Sequence, residues 1–263
     1  MPTRIEKKFE SLRAEGKRAF IPYITAGDPT LEGSYDLVLS LEAAGADLIE
    51  IGVPFSDPIA DGPVIQRATE RALANGVSLG NILSLVERIR QTSEIPLMLM
   101  SYYNPLLNHG LERLAEDAAR VGVDGILASD LTVEEAGPFI EAMKSKGLNT
   151  VFLVAPTSSP ERVSKIARTS TGFLYAVART GVTGETNQLS GELVEFIRLL
   201  KSHTDQPIAV GFGISDPEHV RTVWAEADGA VVGSAIVREI ENQIGKDDMA
   251  EAVGRFVRKL RGS

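Results

Sequence analysis

Eight short apolar runs recur along the chain, and each is followed by a charged, amphipathic segment. Parallel strands that are buried on both faces read as continuous apolar runs, and strands alternating with helices indicate βαβ units. Eight such units in about 250 residues are typical of a (β/α)8 barrel. The pattern therefore predicts an α/β protein with the TIM-barrel fold. The predicted strands are residues 19–25, 47–53, 95–101, 123–129, 149–155, 172–178, 207–213 and 229–235.

Two segments exceed the simple repeat. Residues 2–15 are amphipathic and predict an extra helix before the first strand. The longest gap lies between the second and third runs, where "SLGNILSLVERIRQ" predicts another extra helix. No composition shift or flexible linker interrupts the chain, so we expect residues 1–263 to form a single domain. A doubly wound open sheet is the alternative, but its early G-x-G-x-x-G turn is missing.

Composition narrows the classes of partner and site. The 263-residue chain has a net charge of −9 and no cysteine, which excludes disulfides and thiolate metal sites. It has no basic run with interleaved aromatics, so we expect no nucleic-acid partner. The N-terminus lacks an apolar stretch long enough for a signal peptide or a membrane span, which predicts a cytoplasmic protein without membrane contact. An anionic substrate would have to be held by local donors.

A carboxylate interrupts the second apolar run, in "LIEIGVPFSDPIADGP". Side chains alternate along a strand, so Glu50 shares one face with Gly52, while Ile49 and Ile51 share the other. The apolar face should pack on the helices, which directs Glu50 into the barrel near the catalytic ends of the strands. Burial there should raise its pKa, as is common at catalytic sites. The alternative is a structural glutamate that pairs with an arginine.

Two aspartates follow on the Pro-rich loop. Asp61 precedes "GPVIQRATERALANG", a predicted helix, so capping of that helix is the alternative to a chemical role. Asp57 lies in "SDP", where a turn explains an aspartate equally well. Position in the sequence leaves both alternatives open.

Glycine-rich turns end the seventh and eighth runs, in "GFGIS" and "GSAIV". Barrels often bind phosphate with the loops after these strands and a short helix N-terminus. Gly213 and Gly233 would let backbone N–H groups approach an anion, and Ser234 could donate its hydroxyl and begin a helix. Simple chain reversal is the alternative. The long polar loop at residues 179–191, after the sixth run, is either a lid over substrate or a plain mobile loop.

The residues that metal, Ser-His-Asp or Schiff-base catalysis requires are missing from the predicted strand ends. The three histidines are widely spaced and lie off the strand runs, which disfavours a metal site or a Ser-His-Asp triad. No run contains a lysine for a Schiff base. Acid–base catalysis by carboxylates on a phosphorylated substrate remains. Tyr102 and Tyr175 lie at or near strand ends and either face the pocket or pack in the core.

These residues belong to motifs that resemble the tryptophan synthase alpha subunit family. "IEIGVPFSDPIADG" at residues 49–62 matches the family signature along its whole length. The resemblance runs from about residue 15 to residue 240, with no departure at the motif positions. Further matching motifs, in order, are "PYITAGDP", "YYNP", "GFLYAVARTGVTG", "VGFGIS" and "VVGSAIV".

The resemblance implies reversible cleavage of indole-3-glycerol phosphate to indole and glyceraldehyde 3-phosphate. It implies no cofactor in this chain, and a partner beta subunit that carries pyridoxal phosphate in an α2β2 heterotetramer. By similarity, Glu50 and Asp61 are the catalytic pair, and Thr183 helps to close the lid on Asp61. The remaining substrate-binding residues by similarity are Tyr23, Tyr102 and Tyr175 in the pocket, Leu127 and Phe212 at the indole ring, and Gly184, Gly213, Gly233 and Ser234 at the phosphate.

The rim of the predicted barrel carries apolar residues that suggest a partner surface. We expect the beta subunit to contact two loops, one at residues 54–59, which includes the apolar Ile59, and one in "YNPLLNHG". The predicted contact residues are Pro54, Phe55, Asp57, Pro58, Leu106 and Leu107. The alternative is that these side chains pack on each other over the pocket.

Three other functions stay open on sequence grounds. Indole-3-glycerol phosphate synthase, another phosphate-binding barrel, would carry lysines at its strand ends, which are missing here. A free-standing lyase would release indole without a partner. A subunit that mainly activates its partner would have weak activity of its own.

Overall fold

The computed structural model describes residues 2–177, 182–183, 186–189, 191–211 and 213–262. Its strands follow the predicted runs closely, and the (β/α)8 prediction is confirmed. In chain order they are β1 Ala19–Thr25, β2 Ile49–Gly52, β3 Leu97–Ser101, β4 Gly125–Ala128, β5 Asn149–Thr150, β6 Leu153–Val154, β7 Leu174–Val177, β8 Val182–Thr183, β9 Thr186–Leu189, β10 Ile208–Gly211 and β11 Gly229–Val232.

Nine of these strands form one parallel sheet, in the order β5-β4-β3-β2-β1-β11-β10-β7-β6. The fifth predicted run is divided between its two ends, because β5 pairs with β4 whereas β6 pairs with β7. Only two residues separate β5 from β6. The sheet therefore closes on itself through this run. The short strands β8 and β9 pair separately, as an antiparallel ribbon within the predicted lid loop.

Both predicted extra helices are present, as α1 before β1 and α4 between β2 and β3. The structure adds a short helix, α5, in the segment "YNPLLNH" that the sequence analysis treats as a loop. The helices are α1 Arg4–Ala14, α2 Leu31–Ala43, α3 Pro63–Ala74, α4 Leu79–Ile89, α5 Tyr103–His109, α6 Leu111–Val121, α7 Gly137–Ser145, α8 Pro160–Thr169, α9 Gly191–Lys201, α10 Pro217–Glu226, α11 Ser234–Gln243 and α12 Met249–Arg261.

Helical periodicity explains how these segments cover the barrel. In α6 the buried residues Leu111, Leu114, Ala115 and Ala118 recur at helical spacing, and Gly122 ends the helix in the left-handed conformation. One large apolar cluster fills the layer between strands and helices. A second, smaller cluster fills the barrel interior. Helix α1 closes it at the end where the strands begin. Among the described helices, none has the length and apolar character needed to cross a membrane.

Three aspartates, two of them buried and one half-buried, organise the lower end of the barrel, where the strands begin. Asp47, Asp124 and Asp228 each precede a strand, and each carboxylate accepts a backbone N–H from the start of the neighbouring strand. These bonds are 2.9–3.0 Å long. They fix the starts of adjacent strands relative to each other. The opposite end, where the strands finish, is left for the loops that build the cavity. The three donors are the amides of Phe20, Leu97 and Ile208.

Candidate active site

Glu50 lies on β2 and lines a cavity of about 340 Å³ at the carboxyl ends of the strands. Its predicted inward direction is confirmed, and only 1% of the residue is exposed. One carboxyl oxygen accepts a long hydrogen bond of 3.4 Å from the Tyr175 hydroxyl, while Oε1 has no partner among the described residues. Burial raises the pKa of Glu50 to about 8, and the nearby Asp61 charge adds to that rise while Tyr175 opposes it. The alternative of an arginine-paired glutamate finds no support in the described part of the chain.

Two aromatic rings flank Glu50 because glycines on neighbouring strands leave them room. A Cβ on Gly52 would lie 2.1 Å from the Tyr23 hydroxyl, and a Cβ on Gly211 would lie 2.7 Å from the Tyr175 ring. Both tyrosines are only 7% exposed and line the cavity. Burial raises the pKa of each phenol, so both hydroxyls stay protonated. The cavity therefore combines aromatic walls with neutral hydroxyl groups around one carboxyl.

Asp61 stands on the loop between β2 and α3 and does not cap the helix. The N-cap of α3 is Gly62, and no side-chain hydrogen bond caps the start of the helix. Instead the Tyr102 hydroxyl donates to the Asp61 carboxylate and accepts the Ala60 N–H at 2.8 Å. Burial raises the pKa of Asp61, and the bond from Tyr102 opposes the rise. The Asp61 charge in turn adds to the rise in the pKa of Glu50.

The glycine turns after β10 and β11 meet at the same cavity. Gly213, Gly233 and Ser234 all line it, and α11 begins at Ser234 with Gly233 as its N-cap. The predicted helix start is confirmed. A Cβ on Gly213 would meet no atom within 4 Å, so this glycine borders open space. Free N–H groups at a helix N-terminus favour an anion, and the arrangement can hold a phosphate.

Several predicted substrate residues cannot be compared with the cavity. Gly184 and Phe212 lie outside the described residues. For Thr183 the structure describes only the backbone, which pairs with Thr186 in the β8–β9 ribbon. Leu127 is fully buried in the barrel interior, in the apolar cluster that includes Tyr175.

The cavity also contains residues that the sequence analysis did not name. Met100 could have been found by strand alternation from Met98, which faces the same interior. Arg238 could have been found by helical spacing, since it follows Ser234 by four residues on α11. Ile65 and Ser215 also line the cavity, and their positions depend on tertiary packing.

The predicted partner surface is only partly exposed. Leu106 is fully buried, because α5 turns it into the core, and Pro54 is also buried. The expectation that these two face solvent is wrong. Leu107 on the outer side of α5 is 52% exposed. The remaining predicted residues are Phe55, half-buried with its ring 5.3 Å from that of Tyr102, the half-buried Pro58, and the exposed Asp57, which accepts a bond from Ser56.

Comparisons with known proteins agree with this geometry. The family model described as "Tryptophan synthase alpha chain" matches residues 9–262. The tryptophan synthase alpha chain of Solibacter usitatus is 51% identical over 259 residues, which covers 98% of this chain and 97% of the relative. Together they span the barrel and every strand end that lines the cavity.

Solved structures show the same fold over most or all of the chain. Tryptophan synthase subunit alpha from Legionella pneumophila superposes with a TM-score of 0.93 at 38% identity, covering 100% of this chain and 98% of that one. A chain from the tryptophan synthase α2β2 complex of Pyrococcus furiosus gives a TM-score of 0.87 at 39% identity, with 93% and 98% covered. The chain therefore belongs to the tryptophan synthase alpha chain family.

Proposed function

We propose that this chain cleaves indole-3-glycerol phosphate to indole and glyceraldehyde 3-phosphate, with Glu50 as the acid and base and Asp61 as the stabilising carboxylate. The observation that carries the proposal is the buried Glu50 carboxyl, which lines the cavity and has one oxygen without a partner among the described residues. Such an oxygen is free to meet a reacting atom. The family membership of the chain supports the choice of substrate.

The carbon–carbon cleavage needs an electron sink, and the substrate can supply it. Protonated Glu50 gives its proton to indole C3, which forms an iminium C=N⁺ within the ring system. The Glu50 carboxylate then removes the glycerol hydroxyl proton. As the aldehyde C=O forms, the bond to C3 breaks and its electrons neutralise the iminium, which releases indole. Glu50 ends protonated, so no net proton is consumed. A carboxyl whose pKa is raised to about 8 suits both transfers.

Asp61 is proposed to accept a hydrogen bond from the indole ring N–H. Positive charge develops at that nitrogen when C3 is protonated, and an oriented carboxylate stabilises it. The bonds that join Tyr102 to Asp61 and to Ala60 support this role, because they orient the loop that carries the carboxylate. Tyr23 and Tyr175 would form the walls around the ring system.

The phosphate is proposed to bind between the turns after β10 and β11. Gly213 and Gly233 would bring backbone N–H groups close, and Ser234 would add its hydroxyl at the start of α11. The resemblance to the family extends this set to Gly184 at the phosphate, Phe212 and Leu127 at the indole ring, and Thr183 on the closing lid. The tightly held phosphate would position the scissile carbon over Glu50.

A beta subunit carrying pyridoxal phosphate is the proposed partner, in an α2β2 assembly like that of the Pyrococcus furiosus relative. Exposed apolar side chains on the rim support a contact there, with Ile59 at 87% and Leu107 at 52% exposure. A groove of about 290 Å³ runs between residues 55–59 and α3. Ile59 and Leu107 would form the partner surface together with Phe55, Asp57 and Pro58.

Turnover of indole-3-glycerol phosphate by the isolated chain tests the proposal, measured with and without a cognate beta subunit. We expect indole and glyceraldehyde 3-phosphate in equal amounts, with faster turnover in the presence of the partner. If the isolated chain turns over the substrate and the beta subunit does not change that rate, the chain would instead be a free-standing lyase. If the chain shows no turnover with or without the beta subunit but still accelerates the reaction that the beta subunit catalyses, it would be a purely activating subunit.

A further inference from the structure

One arginine lines the cavity, although the glycine turns beside it already offer backbone donors. Arg238 stands on α11 among the residues around the phosphate end of the cavity. No other Lys or Arg belongs to the described lining of that cavity. The chain as a whole carries a net charge of −9, so a cation at this point is local and does not reflect an overall basic surface.

The carboxylates near Arg238 are already engaged by other donors. Glu241, three residues further along α11, accepts bonds from both Arg67 and Arg71 on α3. Glu239 accepts a bond from Gln243, four residues further along the same helix. Within the described chain, Arg238 makes no ion pair. Its guanidinium is therefore left available, while the neighbouring arginines are neutralised.

Helix geometry directs Arg238 toward the start of α11. Residues four apart lie on one helix face, and every Cα–Cβ bond tilts toward the helix N-terminus. A long side chain therefore covers the turn that precedes its own Cα. For Arg238 that turn begins at Ser234, next to the N-cap Gly233. The guanidinium can reach an anion held at these two residues without any movement of the helix.

We propose that Arg238 binds the substrate phosphate from the side that faces solvent, as a charged donor that complements the backbone N–H groups and Ser234. The inference rests on the proposed function for the identity of the phosphorylated substrate, but phosphate binding itself can be measured without turnover. A guanidinium forms charge-assisted, bidentate bonds with phosphate, which are about twice as strong as neutral ones. Arg238 therefore contributes to substrate capture and leaves the chemical step to the two carboxyls.

The test compares Arg238→Gln with Arg168→Gln. Both changes remove one exposed arginine and alter the net charge equally, but Arg168 lies in the last turn of α8, at the opposite end of the barrel. Binding of glycerol 3-phosphate and of inorganic phosphate would be measured by calorimetry, and turnover by steady-state kinetics. Circular dichroism and melting curves would check that both variants fold like the wild type.

We expect Arg238→Gln to weaken binding of both phosphate probes and to raise KM by about tenfold, the scale of one lost charge-assisted bond. kcat should change less than twofold, and affinity for free indole should not change. Arg238→Lys should recover part of the loss, because it keeps the charge but not the planar fork. The salt dependence of kcat/KM should be smaller in Arg238→Gln than in Arg168→Gln.

Equal phosphate affinity in Arg238→Gln and Arg168→Gln would overturn the inference, as would a wild type that binds neither probe. Absence of turnover in a wild type that does bind phosphate would refute the proposed reaction and leave the role of Arg238 standing. The two failures are therefore distinguishable.

Discussion

Two buried carboxyls, at opposite ends of the barrel, have contrasting surroundings. Asp124, where the strands begin, is 4% exposed and bonds to the Leu97 N–H, to Arg90 at 2.8 Å and to Arg4 at 3.1 Å. Glu50, where the strands finish, is 1% exposed and has one long bond from Tyr175. Burial raises the pKa of both groups, but only Asp124 has cationic partners that oppose the rise.

The contrast indicates that the carboxyl at one end of the barrel stabilises the fold, whereas the carboxyl at the other end is available for catalysis. A buried charge that is fully bonded holds its neighbours in place, whereas a buried carboxyl without partners weakens the folded state unless it stays protonated. Evolution tolerates the second arrangement where the group must react. Lower-end aspartates should therefore matter for folding, and Glu50 for turnover.

Removal of Asp124 should have the largest effect on stability. Asp124→Ala leaves the largely covered Arg90 guanidinium without its carboxylate and frees the Leu97 N–H, so we expect the free energy of unfolding to fall by about 3–5 kcal/mol. Urea denaturation would measure this loss. The kcat/KM of the folded protein at low temperature should stay within about threefold of wild type. A variant as stable as wild type would show that the lower-end network is dispensable.

Glu50→Gln should change stability in the opposite sense. The unfolded chain ionises Glu50 near its ordinary pKa of 4.5, while the folded chain keeps the proton until about pH 8. The unfolding free energy of the wild type therefore falls as pH rises between these values. The variant lacks this loss. Its unfolding free energy minus that of the wild type should therefore be about 2–4 kcal/mol larger at pH 8 than at pH 4.5. Denaturation curves at both pH values check the sign; an equal difference at both would contradict it.

Asp61→Asn separates a chemical role from a structural one at the loop. Asparagine has nearly the same shape and caps helices as well as aspartate, and Asp61 is not the cap of α3. We expect turnover to fall by about 10²-fold, because a neutral amide cannot stabilise charge on the ring nitrogen. The melting temperature should shift little. Near-normal turnover in this variant would remove Asp61 from the mechanism.

Gly213→Ala should have the smallest effect, and only on substrate binding. The added methyl group enters open space, because no atom lies within 4 Å of its position, so the fold should not change. It would keep the phosphate from the backbone and raise KM by about tenfold, with little change in affinity for indole. Gly137→Ala, equally open but on the outer helix α7, is the matched control. Parallel losses for indole and the phosphorylated substrate would argue against a dedicated phosphate site.

Sequence patterns predicted the barrel because its strands are buried on both faces, so each one leaves a continuous apolar run. They also predicted the inward direction of Glu50, which follows from alternation along β2. The helix start at Ser234 followed from the glycine before it. These features depend on local order along the chain, which a sequence records directly.

Features that depend on tertiary contacts were missed. "YNPLLNHG" contains no strong helix signal, so the burial of Leu106 on α5 could not be distinguished from exposure on a loop. The division of the fifth run into β5 and β6 follows from closure of the sheet. The bond from Tyr102 to Asp61 joins two loops that are distant in sequence.

The pH dependence of kcat/KM tests most directly whether Glu50 acts as the acid at indole C3. This ratio reports the ionisation of the free enzyme, in which burial raises the pKa of Glu50 to about 8. Only the protonated carboxyl can donate, so kcat/KM should be level near pH 7 and fall tenfold per unit well above pH 8. Glu50→Gln should lower turnover by about 10²-fold or more and lose this descending limb. A wild-type profile that stays level to pH 9.5, or rises through pH 8, would contradict the account.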